Sequence, residues 1–253
     1  MIARRGLAGA AGVALGGCAA PPPAPPLLAL ADGRELVLGP AADFDPARPP
    51  AGWTIARPQL GAAFATVTQT GRPALRVAAP AGATLLRTTS SRLLATPFLG
   101  WAWSLETPLY GGGPGDGLPR GLRLTVGFAG GAPSGLSATD RWFRSDSGFP
   151  PHDRRLELAL AGIGAARPDL ASIDLAAIAE GGVRRTLRPL ATGQSGGWHL
   201  ESVDLAALHR AFWPQDRTVE TTIAFVGVGG TPARLPDGIP PVLGHVVEIQ
   251  LTR

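Results

Sequence analysis

Short apolar runs of strand length, separated by Gly, Pro, Asp and Ser, recur along this 253-residue chain. That punctuation predicts strands and turns rather than helices. The runs are Glu35 to Leu38, Trp53 to Arg57, Phe64 to Thr68, Ala74 to Ala78, Thr84 to Thr88, Gly100 to Glu106, Leu122 to Phe128, Leu156 to Ala161, Arg184 to Leu190, Trp198 to Val203, Thr221 to Val228 and Val246 to Leu251. Alternation is strict in Leu122-Arg123-Leu124-Thr125-Val126. There the leucines and valine are expected on a core face, and Arg123 and Thr125 on a wet one. Trp101 and Trp103 share a face across Ala102 and are expected in the core rather than on a binding platform.

Two segments break the pattern. Asp174 and Asp204 each precede a short apolar stretch and can cap the free amides of a first helical turn. The second stretch spaces Leu205, Leu208 and Phe212 for one helical face and stops before Pro214, so it should lie across a sheet. The expected fold is all-β: a two-sheet antiparallel β-sandwich of jelly-roll type with one or two short helices, forming one domain over residues 34–253.

The first residues carry a different message. Met1 to Arg5 holds two positive charges, and Gly6 to Gly17 is small, apolar and uncharged. This is the order of a signal peptide, too short in its apolar part for a permanent span. Leu15-Gly16-Gly17-Cys18 resembles the lipobox of bacterial lipoproteins, with cleavage before Cys18 and lipid on its thiol. Cys18 is the one cysteine in the chain, so no internal disulfide is open to it. Several acyl chains on one residue anchor stably where a single chain does not. Residues 1–17 are thus expected to be removed and residues 18–33 to form a lipidated, Pro/Ala-rich, extended tether. Arg4-Arg5-Gly6-Leu7 also resembles a twin-arginine export signal, and either route remains open. By resemblance to proteobacterial lipoproteins, Ala19 after the cysteine favours the outer membrane, facing the periplasm.

Charge changes the picture little. Loss of Arg4 and Arg5 takes the net charge from +4 to +2. With no lysine and one tyrosine, little titrates between histidine and arginine, so the pI of about 10.7 gives no reason to expect a nucleic-acid partner. Arginine without lysine, beside 35 Gly and 26 Pro, fits a GC-rich genome.

Pro50-Ala51-Gly52-Trp53, Arg72-Pro73-Ala74-Leu75-Arg76-Val77 and Gly100-Trp101-Ala102-Trp103 resemble a family of exported bacterial proteins defined only as a domain of unknown function. Asp116 to Phe128, Trp198 to Phe212, Ile223 to Gly229 and Val246 to Leu251 extend the resemblance over most of residues 35–253. It implies a β-sandwich like carbohydrate-binding jelly rolls, an analogy of fold and not of site. Gly229-Gly230-Thr231 stands where the family pattern has an aspartate-rich turn, which argues against an acidic metal site there.

Candidate chemistry is sparse. Gly193-Gln194-Ser195-Gly196-Gly197 matches a nucleophile elbow in letters, but lies between two predicted strands and reads as a hairpin turn. His152, His199, His209 and His245 show no metal spacing, so neither metal nor other cofactor is expected. Glu106, Glu157, Glu201 and Glu248 fall on separate strands, and a glycosidase pair needs a separation of roughly 5 to 10 Å that sequence does not supply. No catalytic residue is assigned. The segment Ala129 to Arg155 is long for a turn and rich in aromatic and charged residues. One possibility is a ligand-covering loop in which Trp142 stacks on a sugar while Arg141, Asp146, His152 or Asp153 contacts it. The preferred alternative has Trp142 and Phe143 folded back as a plug over one sheet.

The expectation is a non-catalytic, membrane-anchored envelope lipoprotein binding a glycan or an envelope protein. A polysaccharide hydrolase or lyase, and a structural or assembly lipoprotein without a small ligand, are the alternatives.

Overall fold

The computed structural model describes residues 33–39, 49–56, 64–78, 83–106, 122–132, 148–161, 183–189, 197–230 and 243–253. Twelve strands lie among them: β1 (Glu35–Leu38), β2 (Trp53–Ala56), β3 (Phe64–Gln69), β4 (Arg72–Ala78), β5 (Thr84–Arg92), β6 (Phe98–Leu105), β7 (Leu122–Ala129), β8 (Arg154–Ala161), β9 (Val183–Pro189), β10 (His199–Asp204), β11 (Thr222–Gly230) and β12 (Leu243–Thr252). Each predicted run lies on one of them. Cys18, the tether and the helix expected after Asp174 fall outside the described residues.

The strands form a two-sheet β-sandwich of jelly-roll type. One sheet has the order β10-β6-β12-β4-β3, with β1 added to β12; the other has the order β2-β5-β11-β7-β8-β9. Every pair is antiparallel except β8 with β9, which run parallel. β9 and β10 belong to different sheets, so these two strands do not pair as a hairpin. Ser195 itself lies outside the described residues.

Alternation explains the core. Leu99, Trp101, Trp103 and Leu105 of β6 face Leu122, Leu124, Val126 and Phe128 of β7, and all are buried. Trp101 and Trp103 are 2% and 1% exposed, the core positions their spacing predicts. Burying one side chain of the Leu or Phe kind contributes about 1.5–3 kcal/mol before entropy is counted.

The wet face predicted for β7 is a correction. Arg123 is 3% exposed and Thr125 fully buried, so this sheet is covered on both sides. Alternation reports which residues share a face, not what later packs on it. On the far face Phe225 lies across from Gly127, and Ala56, Leu86 and Phe149 join it in a second small apolar cluster. A Cβ at Gly127 would collide with the Phe225 ring.

The predicted helix forms as α1 (Leu205–Phe212), directly after β10. The Asp204 carboxylate accepts the Ala207 N–H at 2.8 Å, the expected cap. Leu205 and Phe212 are buried, and Leu208 packs against the core. His209 is buried on the same helix.

Gly127→Ala is expected to destabilise the fold by about 1–3 kcal/mol through overpacking against Phe225. Urea denaturation measures this, and an unchanged midpoint would show that the second cluster yields freely.

Candidate functional site

Three groups of polar side chains lie within the described residues, and burial separates them. The first sits beneath α1. Arg154 donates two hydrogen bonds to Asp216, Nε to Oδ2 at 2.8 Å and Nη2 to Oδ1 at 2.9 Å, with the Arg154 guanidinium near the Trp213 ring. His209 Nε2 lies 3.8 Å from Asp216 Oδ2, and neither ring nitrogen finds a hydrogen bond among the described residues. Burial pushes the His209 pKa down from 6.5 to about 4; Asp216 opposes this, while Arg154 and Arg210 add to it. The Asp216 and His209 side chains are fully buried, so this cluster fastens the helix to β8.

The second group lies on the far face of β7 and β8. Arg123 donates to Thr84 Oγ1 at 3.0 Å and pairs with Glu157 at 3.5 Å, and Arg155 also pairs with Glu157 at 3.5 Å. The described end of the long segment covers this sheet. Phe149 and His152 pack against Phe225, and Arg155 lies over Phe149. His152 Nδ1 contacts the Pro150 carbonyl at 2.7 Å, and the Asp153 carboxylate accepts the Gly130 N–H at 2.8 Å. At 2% and 3% exposure, these two candidate residues anchor the segment. Arg141, Trp142, Phe143 and Asp146 lie outside the described residues.

The third group faces outward from the sheet containing β6 and β12. Ser104 pairs with His245, His245 with Arg76, and Arg76 with Ala65. Since His199 pairs with Trp103, Trp198 stands one position on, opposite Ser104 and on the same face as Leu200. One row therefore runs Trp198, Ser104, His245, Arg76, Ala65 across the sheet. Just beyond it Glu106 Oε1 accepts from His245 Nε2 at 2.9 Å and from Arg76 Nε at 3.0 Å. Glu248 and Gln250 follow His245 on this side of β12.

The row is bridged overhead. Trp198 Nε1 donates to Thr70 Oγ1 at 2.6 Å, and Thr70 belongs to the tight β3–β4 turn, with positive φ at Thr70 and Gly71. In a flat sheet β10 and β3 would stand about 19 Å apart, too far for one indole to span. The other face is filled by core, so the β3–β4 tip folds back over the outward face. The described residues outline a trough that is closed in this structure, its floor at Ser104, His245, Ala102, Glu248 and Gln250 being buried. Its β10 side is apolar, with Leu200 52% exposed and Phe98 on β6 38% exposed. Its opposite side carries Arg76, Glu106 and His245.

Burial holds the His245 pKa below its ordinary value; Glu106 opposes that and Arg76 reinforces it. The imidazole is therefore neutral at neutral pH. A carboxylate oxygen only accepts, so Nε2 carries the proton and Nδ1 is an acceptor. His245 Nδ1 and Ser104 Oγ are both buried and without hydrogen-bond partners among the described residues.

The four carboxylates expected on separate strands are now placed. Glu201 faces inward and accepts from Trp103 Nε1 at 3.1 Å, beside His199 stacked on the same indole. Glu157 belongs to the second group. Only Glu106 and Glu248 share a face, and register puts four residues of β6, about 13 Å, between their rows. No group of three His, Cys, Asp or Glu suited to a metal occurs among the described residues. Trp198 carries the trough, yet in sequence it is only the residue opening a strand; its flanking Gly196-Gly197 was the available signal.

No family model matches the chain, and no curated protein matches it. Among solved structures it is similar to a native family 12 xyloglucanase from Bacillus licheniformis, at 10% identity over 80% of this chain and 88% of that one, with a TM-score of 0.39. It is also similar to the xyloglucanase domain of NopAA, a type three effector from Sinorhizobium fredii, in complex with cellobiose. There the identity is 12%, over 87% of this chain and 95% of that one, with a TM-score of 0.33.

Because His209 stays neutral in the folded chain down to about pH 4, the unfolded chain binds more protons between pH 6.5 and 4. Stability should therefore fall over that window, by about 3 kcal/mol from this residue, and stop falling on its account below it. His209→Leu should flatten the urea midpoint between pH 6.5 and 4; an equally steep decline in the variant would assign acid sensitivity elsewhere.

Proposed function

We propose that this chain is a lipid-anchored module of the bacterial cell envelope that binds a glycan, without transforming it, in the trough beneath Trp198. The carrying observation is the trough's amphipathic lining. A sugar ring has an apolar C–H face and a polar rim, and it matches a surface with Trp198 and Leu200 on one side and Arg76, Glu106 and His245 on the other.

Anchoring rests on Cys18 and the residues before it. Lipid on Cys18 holds the domain at the membrane, in the outer membrane by the Ala19 reading, and the Pro/Ala run lifts it off the surface. Arg141, Trp142 and Asp146 remain candidates for a further contact from the long segment.

On an array of neutral, uronate-bearing and free-amine oligosaccharides, the full chain in detergent is expected to retain at least one glycan. Trp198→Ala should weaken that binding by tenfold or more, since base and ring stacking on aromatics is of the order of 1–2 kcal/mol. Retention of no glycan, or equal binding by the variant, would reject the trough as a glycan site. Separately, Cys18→Ala should abolish palmitate labelling and move the protein from membranes to the soluble fraction; undiminished labelling would reject the lipid site.

A further inference from the structure

Resting on lipid at Cys18 as the anchor, we propose that the pole of the sandwich where the tether enters is a docking surface for a membrane bearing anionic lipid headgroups. Register defines this pole. Phe98 opens β6 opposite Asp204, the end of β10, and opposite Thr252, the end of β12. Glu35 at the start of β1 pairs with Leu251 and accepts a hydrogen bond from Ser91, which brings the end of β5 to the same place. In the other sheet Arg92 stands opposite Thr222, and the Leu93 N–H donates to the Thr221 carbonyl at 3.0 Å. α1 crosses this end: its Leu205 N–H donates to the Pro97 carbonyl at 2.7 Å, and Trp213 after it packs on Phe128, next to the Ala129–Thr222 pair. The tether joins here too, since a Cβ at Gly33 would lie 3.1 Å from Arg253 Nε.

What the pole exposes is apolar and cationic together. Of the four large apolar side chains exposed among the described residues, three are here: Leu94 at 49%, Phe98 at 38% and Val219 at 70%. Arg92, Arg210, Arg217 and Arg253 are exposed at the same end. Its carboxylates have partners within the chain: Glu220 with Arg217, Glu35 with Ser91, Asp204 with the Ala207 N–H, and buried Asp216 with Arg154. The charge presented outward is therefore positive. Anionic headgroups match the guanidiniums while the apolar side chains reach the acyl boundary, a combination that a polyanion without acyl chains would use only in part. A second copy would set arginines against arginines across a two-fold axis. Fifteen residues separate Cys18 from Gly33, on the order of 50 Å when extended. The tether sets the greatest height of the domain, and attraction at the pole draws it down. A tether joined at the opposite pole would first have to run back along the sandwich. Docked this way, the row beneath Trp198 is held about 20 Å above the lipid, because Ser104 lies six residues beyond Phe98 on β6.

The full chain reconstituted in vesicles, with an environment-sensitive dye on one introduced cysteine, tests the docking. Where Cys18 carries lipid, the wild-type chain takes up no thiol label. Val219→Cys marks the pole at an exposed site outside the strands, and Gly197→Cys marks the opposite end of β10, where a Cβ meets nothing within 4 Å. In vesicles of phosphatidylethanolamine and phosphatidylglycerol, nitroxide-bearing lipid should quench the dye of Val219→Cys about threefold more than that of Gly197→Cys. Salt at about 0.5 M, or phosphatidylcholine vesicles, should remove most of that difference. Arg92→Glu combined with Arg210→Glu should remove it too, with the thermal midpoint unchanged. Equal quenching at the two sites in the anionic vesicles would overturn the proposal. So would a dye shift in Val219→Cys that grows with protein density without quenching, which would assign the patch to a second copy. Flotation reads the anchor separately. A chain that floats with the anionic vesicles at low salt but not at about 0.5 M salt lacks lipid on Cys18, which rejects that reading and supports docking at the pole; one that floats at neither rejects both.

Discussion

Strand β12 is the constraint on which the rest depends. On one side it pairs with β6 along nearly its whole length. On the other it pairs with β4 only from Leu243 to Val246, and then with β1 from Ile249 to Leu251. The register against β6 slips at the same place, between Val246 and Glu248. A bulge bends and twists its strand, and here it marks the point where one neighbour is exchanged for another. Released from β12, the Arg72 end of β4 carries the Thr70 turn away from the sheet, while β1 fills the vacated edge and binds Arg87 of the opposite sheet through its Leu36 and Val37 carbonyls. The trough and the closure of the sandwich thus arise from one irregularity.

The two outward faces show what this achieves. On the sheet of β7 and β11, Gly127 and Gly227 let Phe225 and Leu86 settle onto the backbone, and Phe149 and His152 pack against Phe225. Its charges are spent on each other, as in the Arg123–Glu157 pair. On the sheet of β6 and β12 the outward residues Ala102, Ser104, His245, Glu248 and Gln250 are buried as well, and a hydrogen bond from a tryptophan to a turn crosses above them.

The strands were legible because each is a local event: apolar runs and breakers placed all twelve, and Asp204 announced α1 through its side chain alone. What covers an outward face was not legible, since the cover comes from far along the chain. Arg123 looked wet because its alternation with Leu122 and Leu124 is perfect; its burial depends on Thr84, Glu157 and the chain around Phe149. The glycine-rich run at Ser195 looked like a hairpin for the same reason, and only the assignment of β9 and β10 to separate sheets excludes it. Trp142 drew attention as one alternative because its segment is dense with charge, whereas Trp198 is made conspicuous only by a register that pairs residue 199 with residue 103.

Ser104 and His245 carry the same lesson into energetics. An unpaired buried hydroxyl or imidazole nitrogen costs about 1–3 kcal/mol, and an alanine or a phenylalanine at those positions would avoid it. Elsewhere the chain spends buried polar groups on structure: Asp216 ties the turn after α1 to β8, Glu201 holds Trp103, and Asp153 fixes a turn through Gly130. In the row beneath Trp198 the Glu106 carboxylate orients one edge of His245, while its Nδ1 and the Ser104 hydroxyl, like His209, Trp213 and Thr125 elsewhere, find no hydrogen-bond partner among the described residues.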